Sequence, residues 1–353
     1  MRSRSIMKHY CLNNMNKINP KVSVIIPTYR PTSYILEAIE SILNQSFKDF
    51  EIIVVYDGVP EESKNILSAY LNNKQIRYVS QSRQGPNPAR NKGISIAQGE
   101  YLCFLDDDDV FLPNCLFKKV DFLDKHQETG MVLSDFYLHF DDNSIKTPRL
   151  KSLKFLNFFS DSLDQLKDGN YVFNNIFNLK YWAYKYNAFH PSQIMARKEI
   201  VQKIGGFKKD YPIYGDAVFC LDGIKGCRTG FIDEGLSIYY KSRSRTMVRP
   251  EIYINVINSE INYLKNELKE TQCNFIERKK AINIIKNRIS IDYLEIGKCY
   301  SKNYESNRAR SSIFDALKFN KFGLINYYFL GFTYFPVFVQ RIIRKLNTSY
   351  YLL

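Results

Sequence analysis

The sequence lacks the features of a disulfide-rich, zinc-binding or secreted protein. Its seven cysteines are an odd number, are scattered along the chain and include no Cys-x-x-Cys pair, which fits neither a disulfide framework nor a zinc site. Reduced thiols in a cytosolic protein are the simplest expectation. Residues 1–20 are basic but contain no apolar run long enough for a signal peptide. We therefore expect residues 1–20 to form a loose leader.

A nucleic-acid-binding motif is also absent, although the chain is strongly basic. The formal net charge is +14, and residues 241–353 carry 20 Lys and Arg against 9 Asp and Glu. A basic segment of this kind suits an anionic partner such as nucleic acid, a phospholipid surface or a phosphorylated substrate. Because no nucleic-acid motif accompanies the charge, we expect no nucleic-acid partner and favour an anionic membrane surface.

The sequence does contain a run of four carboxylates, Asp106 to Asp109, directly after the apolar residues 101–105. Four like charges in a row repel, so they either face open water or are neutralised by a cation. Carboxylates that share a small space suit Mg2+ or Mn2+, which prefer oxygen ligands and bridge to phosphate oxygens. A solvated acidic turn explains the run equally well when it is taken alone. The neighbouring motifs decide between these interpretations.

Short apolar runs alternate with helical patterns up to Leu105. The predicted strands are 22–27, 50–55, 76–79 and 101–105, and the predicted helices are 33–43 with Ser33 as N-cap, 61–71 and 89–97. This alternation predicts an open, parallel α/β sheet. Ligands of such sheets gather at the C-terminal strand ends, where Thr28, Asp57 and the acidic run all lie.

Five segments carry a resemblance to a known family. They are residues 22–29 (VSVIIPTY), 41–47 (SILNQSF), 51–58 (EIIVVYDG), 89–93 (ARNKG) and 99–109 (GEYLCFLDDDD). Their order and spacing resemble those of the family 2 glycosyltransferases, over residues 21–120 specifically and more weakly to residue 245. The resemblance implies the GT-A fold, a Rossmann-like, mostly parallel α/β sheet flanked by helices, at residues 21–245. A helical, basic C-terminal region would follow at residues 246–353.

The same resemblance implies a metal site within the acidic run. Asp106 and Asp108 match the family's Asp-x-Asp motif, which holds a divalent metal, Mn2+ or Mg2+, against the diphosphate leaving group of the donor. Asp107 fills the variable position and is expected to face the ribose or solvent. Asp109 is expected to belong to the turn.

Nucleotide-sugar binding is implied for a set of residues at the strand ends. The set comprises Pro27, Thr28, Tyr29, Asp57, Arg90, Asp106 and Asp107. Asp57 matches the family's acidic residue that contacts the uracil ring, since a carboxylate accepts from the base N3–H. Arg90 matches an arginine near the base and diphosphate, where a guanidinium fork suits phosphate. Tyr56 departs from the Asp or Asn that is usual before the acidic residue.

A general base is implied after a Gly-Gly-Phe signature, which this chain has at residues 205–207. The family's Glu-Asp pair is reduced to Gly215-Asp216, so we expect Asp216 to deprotonate the acceptor hydroxyl, with Asp222 as the alternative. An aspartate at a helix N-terminus can also be purely structural. His190 is either a contact to acceptor or phosphate or a structural residue.

The C-terminal third predicts helices over residues 250–320, followed by an intensely aromatic segment at residues 322–339 with Arg341, Arg344 and Lys345 after it. A membrane span needs about 20 mostly apolar residues, and this segment is shorter and interrupted by Asn326 and Pro336. Aromatic residues beside a basic cluster favour an interfacial anchor over a buried terminal helix or a span. Residues 150–186, which include the only Trp, are expected to build acceptor recognition.

The resemblance implies an inverting, metal-dependent glycosyltransferase that takes its sugar from a UDP-sugar. With the basic, aromatic C-terminal segment, it leads us to expect a lipid-linked glycan acceptor in bacterial surface polysaccharide synthesis. The enzyme would be cytoplasmic and peripheral on the inner face of the plasma membrane. Two alternatives remain open. One is a sugar nucleotidyltransferase, although no Gly-rich, Lys-bearing phosphate loop lies near the first strand. The other is a non-catalytic, nucleotide-sugar-binding GT-A module, which the departures at Tyr56 and Gly215 favour.

Overall fold

The structure is a computed structural model in which part of the chain is described. The described residues are 19–29, 32–58, 66–70, 72–139, 148–152, 155–158, 163–174, 190–211, 215–240, 243, 250–270, 275–303, 305–321, 327, 330, 333 and 334. The predictions for the leader, for Trp182 and for most of residues 322–339 fall outside this part of the chain.

The described strands form one 10-stranded sheet. In chain order they are β1 (Val22–Thr28), β2 (Phe50–Asp57), β3 (Ile76–Gln81), β4 (Tyr101–Phe104), β5 (Val110–Phe111), β6 (Met131–His139), β7 (Leu163–Gln165), β8 (Tyr171–Phe173), β9 (Ile194–Arg197) and β10 (Thr229–Tyr240). Across the sheet the order is β3-β2-β1-β4-β9-β6-β10-β8-β7, and β5 pairs with β10.

The half of the sheet that carries the sequence motifs is parallel. β1 lies between β2 and β4, with Val22 opposite both Phe50 and Tyr101. Every residue of β1 and β2 is buried, as continuous apolar runs in a parallel sheet require. Because parallel strands end at the same edge, Thr28, Asp57 and the acidic run lie along one edge of the sheet. The predicted α/β fold is confirmed.

The other half of the sheet is mixed because β9 runs against its neighbours. β9 pairs antiparallel with both β4 and β6, whereas β6 and β10 pair in parallel. β5, which follows the acidic run, pairs antiparallel with the end of β10. The acidic run is therefore held between β4 on one side and the β5–β10 pair on the other.

Helices cover both faces of the sheet. They are α1 (Tyr34–Leu43), α2 (Pro86–Ile96), α3 (Cys115–Lys125), α4 (Arg149–Ser152), α5 (Phe155–Phe158), α6 (Lys198–Lys203), α7 (Gly215–Gly226), α8 (Pro250–Glu270), α9 (Phe275–Lys302) and α10 (Ser306–Phe319). Successive side chains of a strand point to opposite faces, so Val24 and Ile26 pack with α1 and α3, while Ile25 packs with α2 and α7. Among the described helices, none is both long and apolar enough to cross a membrane.

The C-terminal helices pack onto the α2–α7 side of the sheet. Ile257, Ile261 and Leu264 of α8 and Ile285 of α9 belong to the same buried cluster as Ile25 of β1. A polar link reinforces this contact, because Lys225 of α7 pairs with the buried carboxylate of Glu267 in α8. The predicted C-terminal helices are confirmed, and they share the core of the sheet.

Helix starts differ from the sequence predictions in two places. α2 begins at Pro86, three residues before the predicted start, because proline at the first helical positions needs no N–H partner. Ser33 occupies the N-cap of α1, but its side chain makes no capping hydrogen bond and its backbone is already helical. Of the helix predicted at 61–71, residues 66–70 are described, and Ser68–Tyr70 form a 3-10 turn.

Candidate active site

The acidic run folds into a tight turn immediately after β4. The Asp109 N–H donates to the Asp106 carbonyl oxygen at 3.2 Å. Asp109 is buried, and its Oδ1 accepts the Tyr240 N–H at 3.1 Å, so this carboxylate ties the turn to β10. Asp106, Asp107 and Asp108 are half-buried. These three carboxylates therefore remain accessible at the sheet edge, while Asp109 is part of the turn.

The end of β1 contacts the turn directly. Pro27 and Thr28 are buried, and Thr28 Oγ1 donates to Asp107 Oδ2 at 2.5 Å. Tyr29, the next residue, is half-buried, and the Arg83 guanidinium lies 4.2 Å from the centre of its ring. The structure thus brings the end of β1 to the acidic turn through Thr28, which orients Asp107 toward this strand.

Two tyrosine rings meet at the ends of β1 and β2. A Cβ added at Gly58 would lie 3.3 Å from the Tyr56 ring and 3.5 Å from the Tyr29 ring. Tyr56 is buried. The departure from the family pattern at this position therefore supplies an aromatic wall next to Asp57 in place of a polar side chain.

Asp57 is buried and organises the loop that precedes α2. Its Oδ1 accepts from Gln81 Nε2 and from the Gln84 N–H, both at 2.8 Å, and its Oδ2 accepts the Gly85 N–H at 2.7 Å. Gly85 has φ = 102°, a left-handed conformation that glycine adopts without strain. Among the described contacts Oδ2 accepts a single hydrogen bond, so it retains accepting capacity toward a ligand.

Arg90 lies at the centre of the site. It projects from α2, is almost fully buried, and donates from Nη2 to Asp106 Oδ1 at 2.6 Å. Burial acts to lower the pKa of Arg90, but the carboxylates of Asp106 and Asp216 outweigh it and raise the pKa above the ordinary value. Its Nε is buried and has no hydrogen-bond partner among the described residues. Arg90 is a permanently charged group between two acidic positions, with donor capacity left over.

The Ala-Arg-Asn motif and the Gly-Gly-Phe signature contact each other across the site. Asn91 accepts the Phe207 N–H at 2.8 Å and donates to the Phe207 carbonyl at 2.7 Å. Gly206 has φ = 63°, and a Cβ there would lie 2.6 Å from Asn91 Oδ1. The Phe207 ring lies 5.1 Å from the Arg90 guanidinium. The signature is thus a helix ending that positions Phe207 under Arg90.

Asp216 lies in the first turn of α7 and is half-buried. Its carboxylate lies within electrostatic reach of both Arg90, which is bonded to Asp106, and His190. Packing explains why the preceding residue, Gly215, has no side chain, since a Cβ there would lie 1.9 Å from Asn87 Nδ2. Asn87 is buried and donates to the carbonyl oxygens of Lys208 and Tyr211. Asn87 therefore occupies the space that a side chain at position 215 would need.

This packing makes Gly215→Ala a test of the arrangement. We expect the variant to lose about 1–3 kcal/mol of unfolding free energy, because Asn87 is held by two carbonyl groups and cannot yield without cost. Chemical denaturation measures this loss. In an Asn87→Ala background the same substitution should cost far less. An equal cost in both backgrounds would contradict the proposed collision.

His190 is also part of the site. Its ring stacks on Tyr239 at 4.9 Å and meets Phe136 edge-on at 5.3 Å. Burial lowers the pKa of His190, against the opposing effect of Asp216 and Asp106. The structure brings His190 next to both acidic positions while also giving it a structural role in aromatic packing.

Asp222, the alternative base, lies on the other side of α7. Burial raises its pKa, and the groups that act on it are Lys225, Lys208, Glu267 and Tyr263. Lys225 Nζ is 3.8 Å from Asp222 Oδ1. Asp222 therefore belongs to the contact between α7 and the C-terminal helix α8.

The donor set of the turn suits a divalent cation that is shared with a ligand. Burial raises the pKa of Asp109 well above its ordinary value, and the carboxylates of Asp108 and Asp106 raise it further, so negative charge is crowded here. Within the described residues no three or more His, Cys, Asp or Glu side chains are grouped to hold a metal ion. Mg2+ is often bound through one or two carboxylates plus substrate phosphates and water. The accessible carboxylates of the turn therefore fit a metal ion whose other ligands are substrate phosphates and water.

Several residues of the site were not predicted. Gln81 and Gln84 donate to Oδ1 of Asp57, and Asn87 and Asn91 hold the residues around Phe207. All four are ordinary polar residues without a local sequence signal. Arg243 lies at the same sheet edge, 3.8 Å from the Tyr240 ring centre, and its Nη1 is buried without a hydrogen-bond partner in the described part of the chain. The sequence marks Arg243 only as one member of the basic segment 241–353.

The C-terminal edge of the parallel strands thus brings acidic, basic and aromatic side chains together, at the place where α/β folds bind ligands. Residues 23–205 match the family model described as "Glycosyl transferase family 2". Glycosyltransferase EpsJ of Bacillus subtilis, described as uncharacterized, is 30% identical over 62% of this chain and 61% of its own length. A Campylobacter jejuni GalNAc(5)-diNAcBac-PP-undecaprenol beta-1,3-glucosyltransferase is 42% identical over 28% of this chain and 32% of its own length. The chain therefore spans less than two thirds of these relatives.

Solved structures show the same fold at low sequence identity. TarS of S. aureus, residues 1–349 with UDP-GlcNAc, has a TM-score of 0.58 at 18% identity, covering 85% of this chain and 81% of that one. The mannosyltransferase PcManGT of Pyrobaculum calidifontis, with GDP-Man and Mn2+, has a TM-score of 0.54 at 13% identity. The match covers 100% of this chain and 95% of that one.

The family match spans more than half of the chain, and the fold and the site agree with it. The chain belongs to glycosyl transferase family 2 and has the GT-A fold. The family match sets aside the nucleotidyltransferase. A non-catalytic GT-A module would share this family and fold, and release of UDP from a UDP-sugar separates it from an enzyme.

Proposed function

We propose that this glycosyltransferase transfers a sugar from a UDP-sugar to a hydroxyl group of a glycan, with inversion at the anomeric carbon. The observation that carries the proposal is the position of Arg90, which is bonded to Asp106 and lies within electrostatic reach of Asp216. A diphosphate at Asp106 and an acceptor hydroxyl at Asp216 would lie on either side of this guanidinium. An inverting displacement needs its leaving group and its base on opposite faces of the donor sugar, and this arrangement would supply them.

Asp57 would bind the base of the nucleotide. Its Oδ2 faces one backbone donor, Gly85, and can accept the uracil N3–H in addition. Tyr29 and Tyr56 supply flat apolar surface beside it. Guanine is larger than uracil and would require a wider space, whereas thymine offers the carboxylate the same imide N–H and differs by its 5-methyl group. The UDP-GlcNAc bound to the TarS neighbour supports the choice of a UDP-sugar.

The diphosphate would lie over the acidic turn. Asp106 and Asp108 would hold Mn2+ or Mg2+, and when bound the metal supplies Lewis-acid stabilisation of the leaving diphosphate. Arg90 offers a second positive charge there, since its Nε has no partner among the described residues. Thr28 holds Asp107 toward β1, where the ribose would lie. The Mn2+ present with the PcManGT neighbour supports metal use.

Asp216 would act as the general base. As the acceptor hydroxyl attacks the anomeric carbon on the face opposite the diphosphate, its proton passes to the Asp216 carboxylate, and the bond to the diphosphate breaks. Arg90 places a positive charge within electrostatic reach of Asp216. His190, half-buried beside it, would contact the acceptor.

The acceptor would be a lipid-linked glycan in bacterial surface polysaccharide synthesis, at the inner face of the plasma membrane. The name of the Campylobacter jejuni relative, which describes a glycan on a polyprenyl diphosphate, supports this choice. The excess of Lys and Arg in residues 241–353 supports a site next to an anionic membrane.

The donor assignment is tested by calorimetric binding of UDP, GDP and dTDP to the whole chain, with and without Mn2+. We expect UDP to bind at least about tenfold more tightly than GDP, because a purine needs more space beside Tyr29 and Tyr56 than uracil does. dTDP offers Asp57 the same imide N–H and should lose affinity only through its 5-methyl group and its missing 2′-hydroxyl. Binding should weaken when Mn2+ is removed. Slow release of UDP from a UDP-sugar would confirm turnover. A preference for GDP, or binding that ignores Mn2+, would overturn the donor or the metal assignment respectively.

A further inference from the structure

α10 carries an exposed face that the proposed chemistry does not use. Its buried residues are Ala309, Ser312, Ile313 and Ala316, which pack inward. Asn307, Ser311, Phe314 and Lys318 recur at intervals of three and four residues and are all exposed. Phe314 is the one large apolar side chain on this stripe, and 48% of its surface is open. An aromatic ring in the middle of an exposed polar stripe needs a physical reason.

Two more exposed aromatic side chains border the same helix. Tyr334 is 60% exposed and lies under the Arg310 guanidinium, 4.6 Å from ring centre to cation. Tyr327 is 51% exposed and donates its hydroxyl to the Lys321 carbonyl oxygen at 3.0 Å. Of the five large apolar side chains that are exposed in the described part of the chain, three therefore surround α10.

Basic side chains frame these rings. Arg310 and Lys318 lie one turn before and one turn after Phe314, and Arg308 and Lys321 lie near the two ends of the same helix. Two carboxylates are present as well, since Asp315 pairs with Lys318 at 2.7 Å and Glu305 pairs with Arg308 at 2.9 Å. The four basic side chains still outnumber the two carboxylates. We name this set, Arg308, Arg310, Phe314, Lys318, Lys321, Tyr327 and Tyr334, the α10 surface.

We propose that the α10 surface docks onto an anionic phospholipid bilayer. Aromatic rings enter the headgroup region readily, and Lys and Arg beside them keep their charges at the lipid phosphates. The charge of the wider C-terminal segment, 20 Lys and Arg against 9 Asp and Glu in residues 241–353, complements such a surface. The inference rests on the proposed lipid-linked acceptor, and it assigns the contact to the exposed side of a helix whose other side packs inward.

The chain offers a matched control for this proposal. Phe117 in α3 is 51% exposed, about as much as Phe314, but lies in the GT-A part of the molecule. Its neighbour Lys118 is paired with Glu234, so no excess positive charge accompanies the ring. If membrane binding requires an aromatic ring beside unbalanced basic charge, it should depend on Phe314 and not on Phe117.

The test is co-sedimentation of the whole chain with vesicles of phosphatidylcholine alone or mixed with phosphatidylglycerol. We expect binding to the mixed vesicles only, and weaker binding at high ionic strength. Phe314→Ser and the double variant Arg310→Gln/Lys318→Gln should each lower the bound-to-free ratio by about fivefold or more. Phe117→Ser should stay within about twofold of the parent chain. Equal losses for Phe314→Ser and Phe117→Ser, or no binding by the parent chain, would overturn the proposal.

Two further measurements separate this surface from the proposed activity and from self-association. UDP release without vesicles should be the same for Phe314→Ser as for the parent chain, so failure of the donor assignment would be seen independently of lipid binding. Sedimentation velocity without vesicles should show one species for both proteins. A dimer that dissociates on Phe314→Ser would assign the α10 surface to a second copy of the chain and overturn the lipid assignment.

Discussion

Asp216→Asn should lower kcat for sugar transfer by about a hundredfold to ten-thousandfold, the usual range for loss of a general base. The amide cannot take the acceptor proton, but it has the shape of the carboxylate and can still accept the Ala217 N–H, as Asp216 does at 2.7 Å. UDP binding should stay close to that of the parent chain, because the nucleotide contacts are at the other end of the site. Steady-state kinetics and UDP calorimetry on the same preparation measure the two effects.

Asp222→Asn is the matched control on the same helix. Asp222 contacts Lys225 and the α8 interface, so we expect kcat within about threefold of the parent chain. Because burial raises the pKa of Asp222, the folded carboxyl binds its proton more tightly than the unfolded one. The parent chain should therefore lose stability as pH rises through that raised pKa, and the variant should not. A large loss of kcat in Asp222→Asn with activity retained in Asp216→Asn would reverse the assignment of the base.

Asp108→Asn should weaken Mn2+-dependent UDP binding by at least about tenfold, the lower end of the loss seen when even outer-shell partners of a metal are removed. The side chain is half-buried at the accessible side of the turn, where a metal shared with a diphosphate would lie. The residual binding should no longer respond to Mn2+. Calorimetric titration of UDP with and without Mn2+ gives both quantities.

Asp109→Asn is the comparison variant within the same run of carboxylates. Its Oδ1 faces the Tyr240 N–H, and an amide oxygen can accept the same hydrogen bond. We expect Mn2+-dependent UDP binding within about threefold of the parent chain, because the residue faces the protein interior. If Asp109→Asn abolished the Mn2+ response and Asp108→Asn preserved it, the metal assignment within the run would be wrong.

Much of the sheet could be predicted because its signals are local. The β-branched runs at β1 and β2 are buried over their full length, and a continuous apolar run encodes that burial directly. The boundaries of the helices were harder to predict from the sequence. The start of α2 at Pro86 depends on Gly85 and on its neighbour Asp57, which anchors the loop from another strand.

The sequence by itself determined the family, the alternation of strands and helices, and the collection of Thr28, Asp57 and the acidic run at one sheet edge. Tertiary structure alone decided which carboxylate faces which partner. Asp109 turns inward to Tyr240, Asp107 turns to Thr28, and Asp106 turns to Arg90.

Tertiary structure also decided that Gly215 must lack a side chain and that Asp222 lies away from the site. The reason is physical: Asn87 reaches the Tyr211 carbonyl oxygen across 124 residues of chain, and Lys225 meets Glu267 across 42. The hydrophobic periodicity of a sequence indicates which face of a single helix or strand is buried, but not which distant residue that face contacts. Contacts made over such separations are specified by packing, and they become visible only when the chain is folded.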